Sequence, residues 1–258
     1  MGGAMLKGWL NSTIDAHYNI IEPFGKPDFL DRYSNATYGK RVDDIAEQIA
    51  ESDICILAVK PQMMKDVCAS LKAHISPTCL IASVAAGQMI ANYESYFGES
   101  QPIVRVMPNT PAAIGQGMSV LCANPHANDA QKQLITRLLD CSGKTAWVDD
   151  EGLMNAVTAV SGSGPAYIFH FIEALAQAGE QAGLDGKTAM TLARQTVIGS
   201  AALAGAEEST PASTLRENVT SPNGTTAAAL QVLMDGRFQD ILNEAINAAK
   251  TRGEELAS

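Results

Sequence analysis

The sequence runs to 258 residues, 46% of them hydrophobic and 18% charged, with a formal net charge of −10. A chain of that size makes one large domain or two ordinary ones and buries roughly three quarters of the surface it exposes when unfolded, so it needs no metal or disulfide staples. There is too little charge for disorder, and the acidic balance argues against a phosphate-backbone binder and hence against a nucleic-acid partner.

The chain opens Met1-Gly2-Gly3-Ala4-Met5, and Gly3 to Leu10 reads as a helix. No basic segment followed by an apolar stretch and a small-residue cleavage site stands there, so no secretory leader is expected. Tyr18 to Glu22 is a short apolar run ended by Pro23, Ala36 to Tyr38 a weak strand, and Asp43 to Ala50 helical with acids in its first turn. Asp53 to Lys60 (DICILAVK) is apolar without alternation and stops at Pro61. Such a run suits a strand covered on both faces. Met63 to Leu71 reads as a helix, Cys79 to Val84 as a buried strand, Ile90 to Phe97 as a helix and Ile103 to Met107 as a strand. Met118 to Ala123 is a further strand, Asp129 to Leu139 a helix and Ala146 to Val148 a last short strand. This alternation predicts an α/β fold, with a Rossmann-like, parallel, doubly wound sheet over residues 1–150.

Beyond residue 150 the strand signals vanish. Helices are expected over Ala166 to Ala182, Lys187 to Gly205, Thr225 to Met234 and Phe238 to Leu256, with Gly183 a C-cap and Asp185 an N-cap. Residues 151–258 therefore read as an all-helical second domain. Its helices carry few charges over Ala166–Ala178 and Ala189–Ala204, and alone they would expose too much apolar surface, so a second copy of the chain is expected against them.

The five cysteines, Cys55, Cys68, Cys79, Cys122 and Cys141, are odd in number and form no C-x-x-C pair. They read as free thiols in a reducing cytoplasm. The four histidines are scattered, so a catalytic metal is not expected. No apolar run approaches the roughly 18 residues of a spanning helix, and no membrane partner is expected.

A dinucleotide site begins with a strand, then G-x-G-x-x-G, then a helix whose free amides and dipole meet the pyrophosphate. Gly2, followed directly by a helical pattern, fits the last glycine of that fingerprint; a plain flexible N-terminus fits these residues as well. Glu22 lies 20 residues after Gly2, where an acid holds the adenosine ribose in NAD sites, whereas Lys26 and Arg32 suit a 2′-phosphate. NAD and NADP both stay open. Three strands end in special turn chemistry: Ala58-Val59-Lys60-Pro61, Ser83-Val84-Ala85-Ala86-Gly87 and Met107-Pro108-Asn109-Thr110-Pro111. Ligands of doubly wound sheets sit beyond such strand ends. In the helical half, Ser161-Gly162-Ser163-Gly164-Pro165-Ala166-Tyr167 and Ser221-Pro222-Asn223-Gly224-Thr225-Thr226 each lead into a helix. Hydroxyls and unpaired amides at a helix N-terminus hold a carboxylate well, although Ser and Thr there also serve as plain caps.

Taken in order, AVKP, VAAG, RVMPNTP, SGSGPAY and SPNGTT resemble the pyrroline-5-carboxylate reductase family, from Met1 to the last helix. The resemblance implies a Rossmann domain, a helical dimerisation domain, homodimers often gathered into rings, and reduction of a cyclic imine to L-proline with NADPH or NADH. It implies that Gly2, Ala58, Val59, Lys60, Pro61, Val84, Ala85, Ala86 and Asn109 bind the cofactor. It also implies that the Gly224 and Thr225 amides hold the substrate carboxylate and that the Thr226 hydroxyl orients the ring nitrogen as the catalytic contact, with Ser163 and Glu173 as further substrate contacts. Three departures stand out. Met1-Gly2-Gly3-Ala4 matches only the tail of the family's G-x-G-N-M-G-x-A loop, so a central strand is expected to be lacking and its neighbours' edges uncovered. Asn223 replaces the usual glycine, and Ile45 stands where an Asn is expected to face the adenosine side. Two other readings compete. A β-hydroxyacid dehydrogenase would carry a lysine base on the first long helix of the second domain, and Ala166–Ala182 has none. A dimeric paralogue without nucleotide binding would have no need of SGSGPAY and SPNGTT.

Overall fold

The computed structural model describes residues 1–257 of the chain. It divides into two compact units, Met1–Gly162 with the chain from Ala249 onward, and Ser163–Ala248.

In the first unit, α1 (Gly2–Leu10) buries Met5, Trp9 and Leu10. β1 (Tyr18–Ile21) pairs in parallel with β2 (Ala36–Gly39), and these two strands form a sheet of their own. A second sheet holds β3 (Ile54–Leu57), β4 (Leu80–Ser83), β5 (Ile103–Met107), β6 (Gly117–Ala123) and β7 (Gly143–Trp147), side by side in that order. β1 and β3 each pair on one side only, so the uncovered edges implied by the resemblance are present. Their residues show it: Ile54, Cys55 and Ile56 are half-buried, whereas β4 and β5 are buried at every position.

The unbroken apolar runs become strands because helices cover both faces. Leu80, Ala82, Val104 and Val106 turn toward Met5 and Trp9 of α1 and toward Leu138 and Leu139 of α5 (Asp129–Asp140). Ile81 and Ile103 turn the other way, toward α3 (Met64–Leu71) and α4 (Ile90–Phe97). Ile45 belongs to this second cluster just before α2 (Ala46–Ala50) and is 4% exposed, so its side chain is a core contact.

The sheet is not wholly parallel, which corrects the sequence expectation. β6 runs antiparallel to β5, while β3–β4, β4–β5 and β6–β7 are parallel. Residues 108–116 that join β5 to β6 are too few for a crossover, which takes a dozen or more. The connection instead makes one short 3-10 helix, Thr110–Ile114, that closes on Gly115 in the left-handed region at φ +71°.

After β7 the chain forms a 3-10 turn (Glu151–Leu153), α6 (Met154–Val157) and a π-helical turn (Thr158–Gly162). Met154 is wholly buried in the sheet's core, which keeps this run in the first unit beyond residue 150. The second unit contains α7 (Gly164–Gln181), α8 (Gly186–Ala206), α9 (Ala212–Asn218), α10 (Thr225–Leu233) and most of α11 (Arg237–Ala257). Gly183, at φ +103°, turns α7 into α8, and the Asp185 carboxylate caps α8 by accepting from the Lys187 and Thr188 amides, each at 3.1 Å. The Thr188 side chain foremost, together with those amide bonds, holds the Asp185 carboxyl below its usual range. The two helices approach closely through small residues: a Cβ on Gly179 would lie 3.3 Å from that of Ala189. Outside this seam apolar side chains face outward, with Phe169 61% and Ile241 63% exposed. Among the described residues no helix is long and apolar enough to cross a membrane.

All five cysteines are unpaired. Burial pushes the Cys68 thiol up to about 11 and that of Cys79 up to about 12, and it raises Cys55 and Cys122 as well. The thiolate is the reactive form, so at pH 8 roughly one Cys68 in a thousand is competent. Alkylation of the native protein at pH 8 is expected to mark Cys141 first, with the other four following only as the chain unfolds. Peptide mass spectrometry reads this directly, and equal labelling of Cys68 or Cys79 would contradict it.

Candidate active site

The parallel register places Leu57 beside Ser83 and Ser83 beside Arg105, so β3, β4 and β5 end at one edge of the sheet. Ala58–Pro61, Val84–Gly87 and Met107–Pro111 leave from that edge. The start of α1 lies there too. A Cβ on Gly2 would come within 2.8 Å of the Ala58 Cβ, so only glycine lets the helix begin this close to the strand exit. The first turn of α1 contains no acidic residue, and no side chain caps it. Its leading amides and positive dipole end are available to an anion. Ala58, Lys60, Pro61 and Ala86 are exposed, Val59 and Val84 half-buried, and Ala85 buried.

Buried polar groups hold these loops. The Ser83 hydroxyl accepts from the Ala85 amide at 3.2 Å and meets the Tyr93 hydroxyl at 2.5 Å. Tyr93 is fully buried, and burial pushes its phenol up to about 12, so it stays protonated and can share its hydrogen with Ser83. On the next strand, Arg105 is 2% exposed and donates from Nη1 to Glu151 Oε1 at 3.0 Å. The same oxygen accepts from the Ile90 amide, at the start of α4, at 2.9 Å. Neither anchor was foreseen from the sequence; a charged residue inside the apolar run IVRVM was the available signal for the second. Asn109, expected at the cofactor, has its carboxamide engaged by the chain. Its Oδ1 accepts from the Met118 amide at 2.8 Å, and its Nδ2 donates to the Ser161 carbonyl and hydroxyl at 3.3 and 3.4 Å.

At the end of β1, the Glu22 Oε1 accepts from the Phe24 amide at 3.2 Å. Lys26 is paired with Asp31 at 2.5 Å, and Arg32 is exposed.

The second unit presents two helix entries. Ser163 precedes Gly164 and Pro165 at the start of α7, and its hydroxyl makes no capping bond. Asn223 adopts φ +57°, the left-handed conformation that asparagine tolerates better than most residues, so it takes the glycine's place in the turn. Gly224 is the N-cap of α10, and Thr225 and Thr226 form its first turn. The structure thus brings Gly224, Thr225 and Thr226 together at one helix end. Glu173 stands apart from them, exposed on α7, with its carboxylate 3.3 Å from His170 Nδ1.

Two family models match the chain: one described as pyrroline-5-carboxylate reductase dimerisation, over residues 151–256, and one described as NADP oxidoreductase coenzyme F420-dependent, over residues 1–87. The pyrroline-5-carboxylate reductase of Pseudomonas aeruginosa is 46% identical over 84% of this chain and 79% of its own. That of Methanosarcina acetivorans is 37% identical over 99% of this chain and 94% of its own. The chain belongs to the pyrroline-5-carboxylate reductase family. Solved reductases agree: the structure from Coxiella burnetii matches with a TM-score of 0.91 at 35% identity, covering 100% of this chain and 95% of that one. The Plasmodium falciparum pyrroline carboxylate reductase, solved with NADP bound, matches with a TM-score of 0.80 at 30% identity over 100% of this chain and 95% of its own. The reductase motifs therefore fall where the structure puts them, at one sheet edge and at two helix entries.

Proposed function

We propose that this chain reduces 1-pyrroline-5-carboxylate to L-proline, the last step of proline synthesis, using NADPH or NADH, and that it works as a homodimer or a ring of dimers in the cytoplasm. The observation that carries this reading is similarity to reductases through both units, from the first residues to the last helix. The outward apolar side chains of the second unit, within a matched dimerisation family, support self-association. The five unpaired thiols suit a reducing compartment. The domain assignment follows the same reading: 1–150 binds the dinucleotide, and 151–258 dimerises and holds substrate.

The residues at the sheet edge fit a dinucleotide. The close approach at Gly2 and Ala58 and the acid-free start of α1 suit a pyrophosphate. Ala58, Val59, Lys60 and Pro61 with Val84, Ala85 and Ala86 offer small or apolar surface to a flat ring and its ribose. When bound, the nicotinamide supplies the hydride. The chain's own work is positional, because a protonated cyclic imine is already electrophilic and needs no nucleophile or metal. In this reading the Gly224 and Thr225 amides hold the carboxylate at the positive end of α10, the Gly224 amide giving up the Ser221 carbonyl to which it donates at 3.0 Å. The Thr226 hydroxyl fixes the ring nitrogen, which sets the imine carbon at near-attack distance, roughly 3–3.5 Å. Ser163 and Glu173 are the secondary contacts.

Purified protein is expected to form proline from 1-pyrroline-5-carboxylate with one or both reduced nucleotides, followed by loss of nicotinamide absorbance and by proline detection. A folded dimer that forms no proline and gives no nicotinamide fluorescence change on titration would instead be a scaffold.

A further inference from the structure

Asn109 stands where β5 hands over to the short loop toward β6. All three of its side-chain hydrogen bonds run to the chain itself: one from the second residue of β6, Met118, and two to Ser161 in the π-helical turn. One planar group thus ties a strand end, the start of the neighbouring strand and a turn 52 residues away. The π turn also packs on the same strand end, since a Cβ on Gly162 would lie 3.4 Å from the Met107 sulfur. Turns of this kind occur mostly as short insertions and gather at functional sites. This one leads, two residues after Ser161, into Ser163 and α7.

We propose that Asn109 is a positioning residue for the imino acid side of the reaction: by bracing Met118 and Ser161 it fixes the turn from which Ser163 and α7 begin. The proposal rests on the reductase reading above. The chemistry of the site explains the residue type. The Met118 amide needs an acceptor and the Ser161 carbonyl needs a donor, and a carboxamide supplies both in one rigid plane, whereas a carboxylate supplies only acceptors. In the structure that carboxamide is turned onto the chain.

The test compares Asn109→Ala and Asn109→Asp with the wild type, each as the full chain, by three readouts. These are steady-state kinetics with 1-pyrroline-5-carboxylate, NADPH affinity by fluorescence titration, and amide hydrogen exchange over residues 158–165. For Asn109→Ala the KM for the imine is expected to rise roughly 10-fold through lost positioning, with NADPH affinity held within about twofold. Exchange over 158–163 is expected to quicken. Asn109→Asp keeps the acceptor for Met118 and loses the donor to Ser161, so it is expected to move the same readouts in the same direction. It also stands in if the alanine variant fails to fold. Weakened NADPH binding with unchanged exchange would make Asn109 a nucleotide ligand and overturn the proposal. Unchanged exchange in both variants would overturn it whatever the kinetics. An inactive wild type would defeat the reductase reading instead, and the exchange data would still decide whether Asn109 braces the turn.

Discussion

Replacing Thr226 by alanine is expected to lower turnover by roughly 10- to 100-fold, the value of about 1.5–3 kcal/mol for one oriented hydrogen bond realised in the transition state. The placement of the hydroxyl supports this. Several threonine hydroxyls donate to the carbonyl four residues earlier: Thr158 to Met154, Thr191 to Lys187 and Thr220 to Arg216, each at 2.7–2.8 Å. Thr226 stands in the first turn of α10, where the residue four before it, Pro222, lies outside the helix. No such acceptor is in register, and the Thr226 hydroxyl has no hydrogen-bond partner among the described residues. Thr226 is half-buried, and its free hydroxyl, beside the Thr225 amide at a helix start, is available to a ligand; the Gly224 amide donates to the Ser221 carbonyl at 3.0 Å. Serine at this position is expected to retain most of the activity and valine, which keeps the shape, to lose it. If the contact strengthens only in the transition state, kcat and kcat/KM fall together, whereas a uniform binding contact would raise KM alone. Near-wild-type kinetics in Thr226→Ala would remove the residue from its role.

The elements that position this chemistry were readable wherever burial imposes a pattern. Leu80–Ser83 and Ile103–Met107 are strands buried on both sides, so their residues are mostly apolar without alternation. The capped helices were equally plain: Asp185 and Gly183 sit where an N-cap and a left-handed turn require them. The strand direction of β6 was not visible, because the segment Met118–Ala123 is as apolar as a parallel strand would be. Only the shortness of the 108–116 connection distinguishes the two, and its special turn residues invited a ligand-binding interpretation instead. α9 (Ala212–Asn218) escaped notice since its seven residues bury nothing completely and so carry no periodicity. The π turn at Thr158–Gly162 leaves no local trace either, and its neighbours Asn109 and Met107 are remote in sequence. Ile45 departs from the family's Asn, and its burial beside Val42 and Ile49 shows what the position does in this chain: it packs into the core.

Glu151→Ala is expected to destabilise the fold by about 3–5 kcal/mol, the usual consequence of stranding one member of a buried ion pair. Arg105 projects from the middle of a strand buried at every position, and its guanidinium finds one carboxylate. Its Nε and Nη2 are buried without a partner among the described residues, so the single bond to Glu151 offsets the desolvation of the charge almost alone. Glu151 is 20% exposed at its side chain against 3% for Arg105, which makes the two deletions unequal. Arg105→Met leaves a carboxylate that reaches water and still accepts from the Ile90 amide, so a smaller loss of about 1–3 kcal/mol is expected. Replacing both together, Arg105→Met with Glu151→Leu, removes the stranded charge and is expected to recover much of the stability lost in Glu151→Ala. Denaturant unfolding at one fixed protomer concentration measures all three, since self-association makes apparent stability concentration-dependent. A Glu151→Ala protein within about 1 kcal/mol of wild type would mean that Arg105 does not depend on this partner. The pair also bears on function through geometry. Arg105 lies two residues before Met107 on the strand that leads into Asn109, and Glu151 opens the run that ends in the π turn. A weakened pair is therefore expected to loosen the same strand end and turn that Asn109 braces, and combining Asn109→Ala with Glu151→Gln should give effects on exchange over 158–163 that do not simply add.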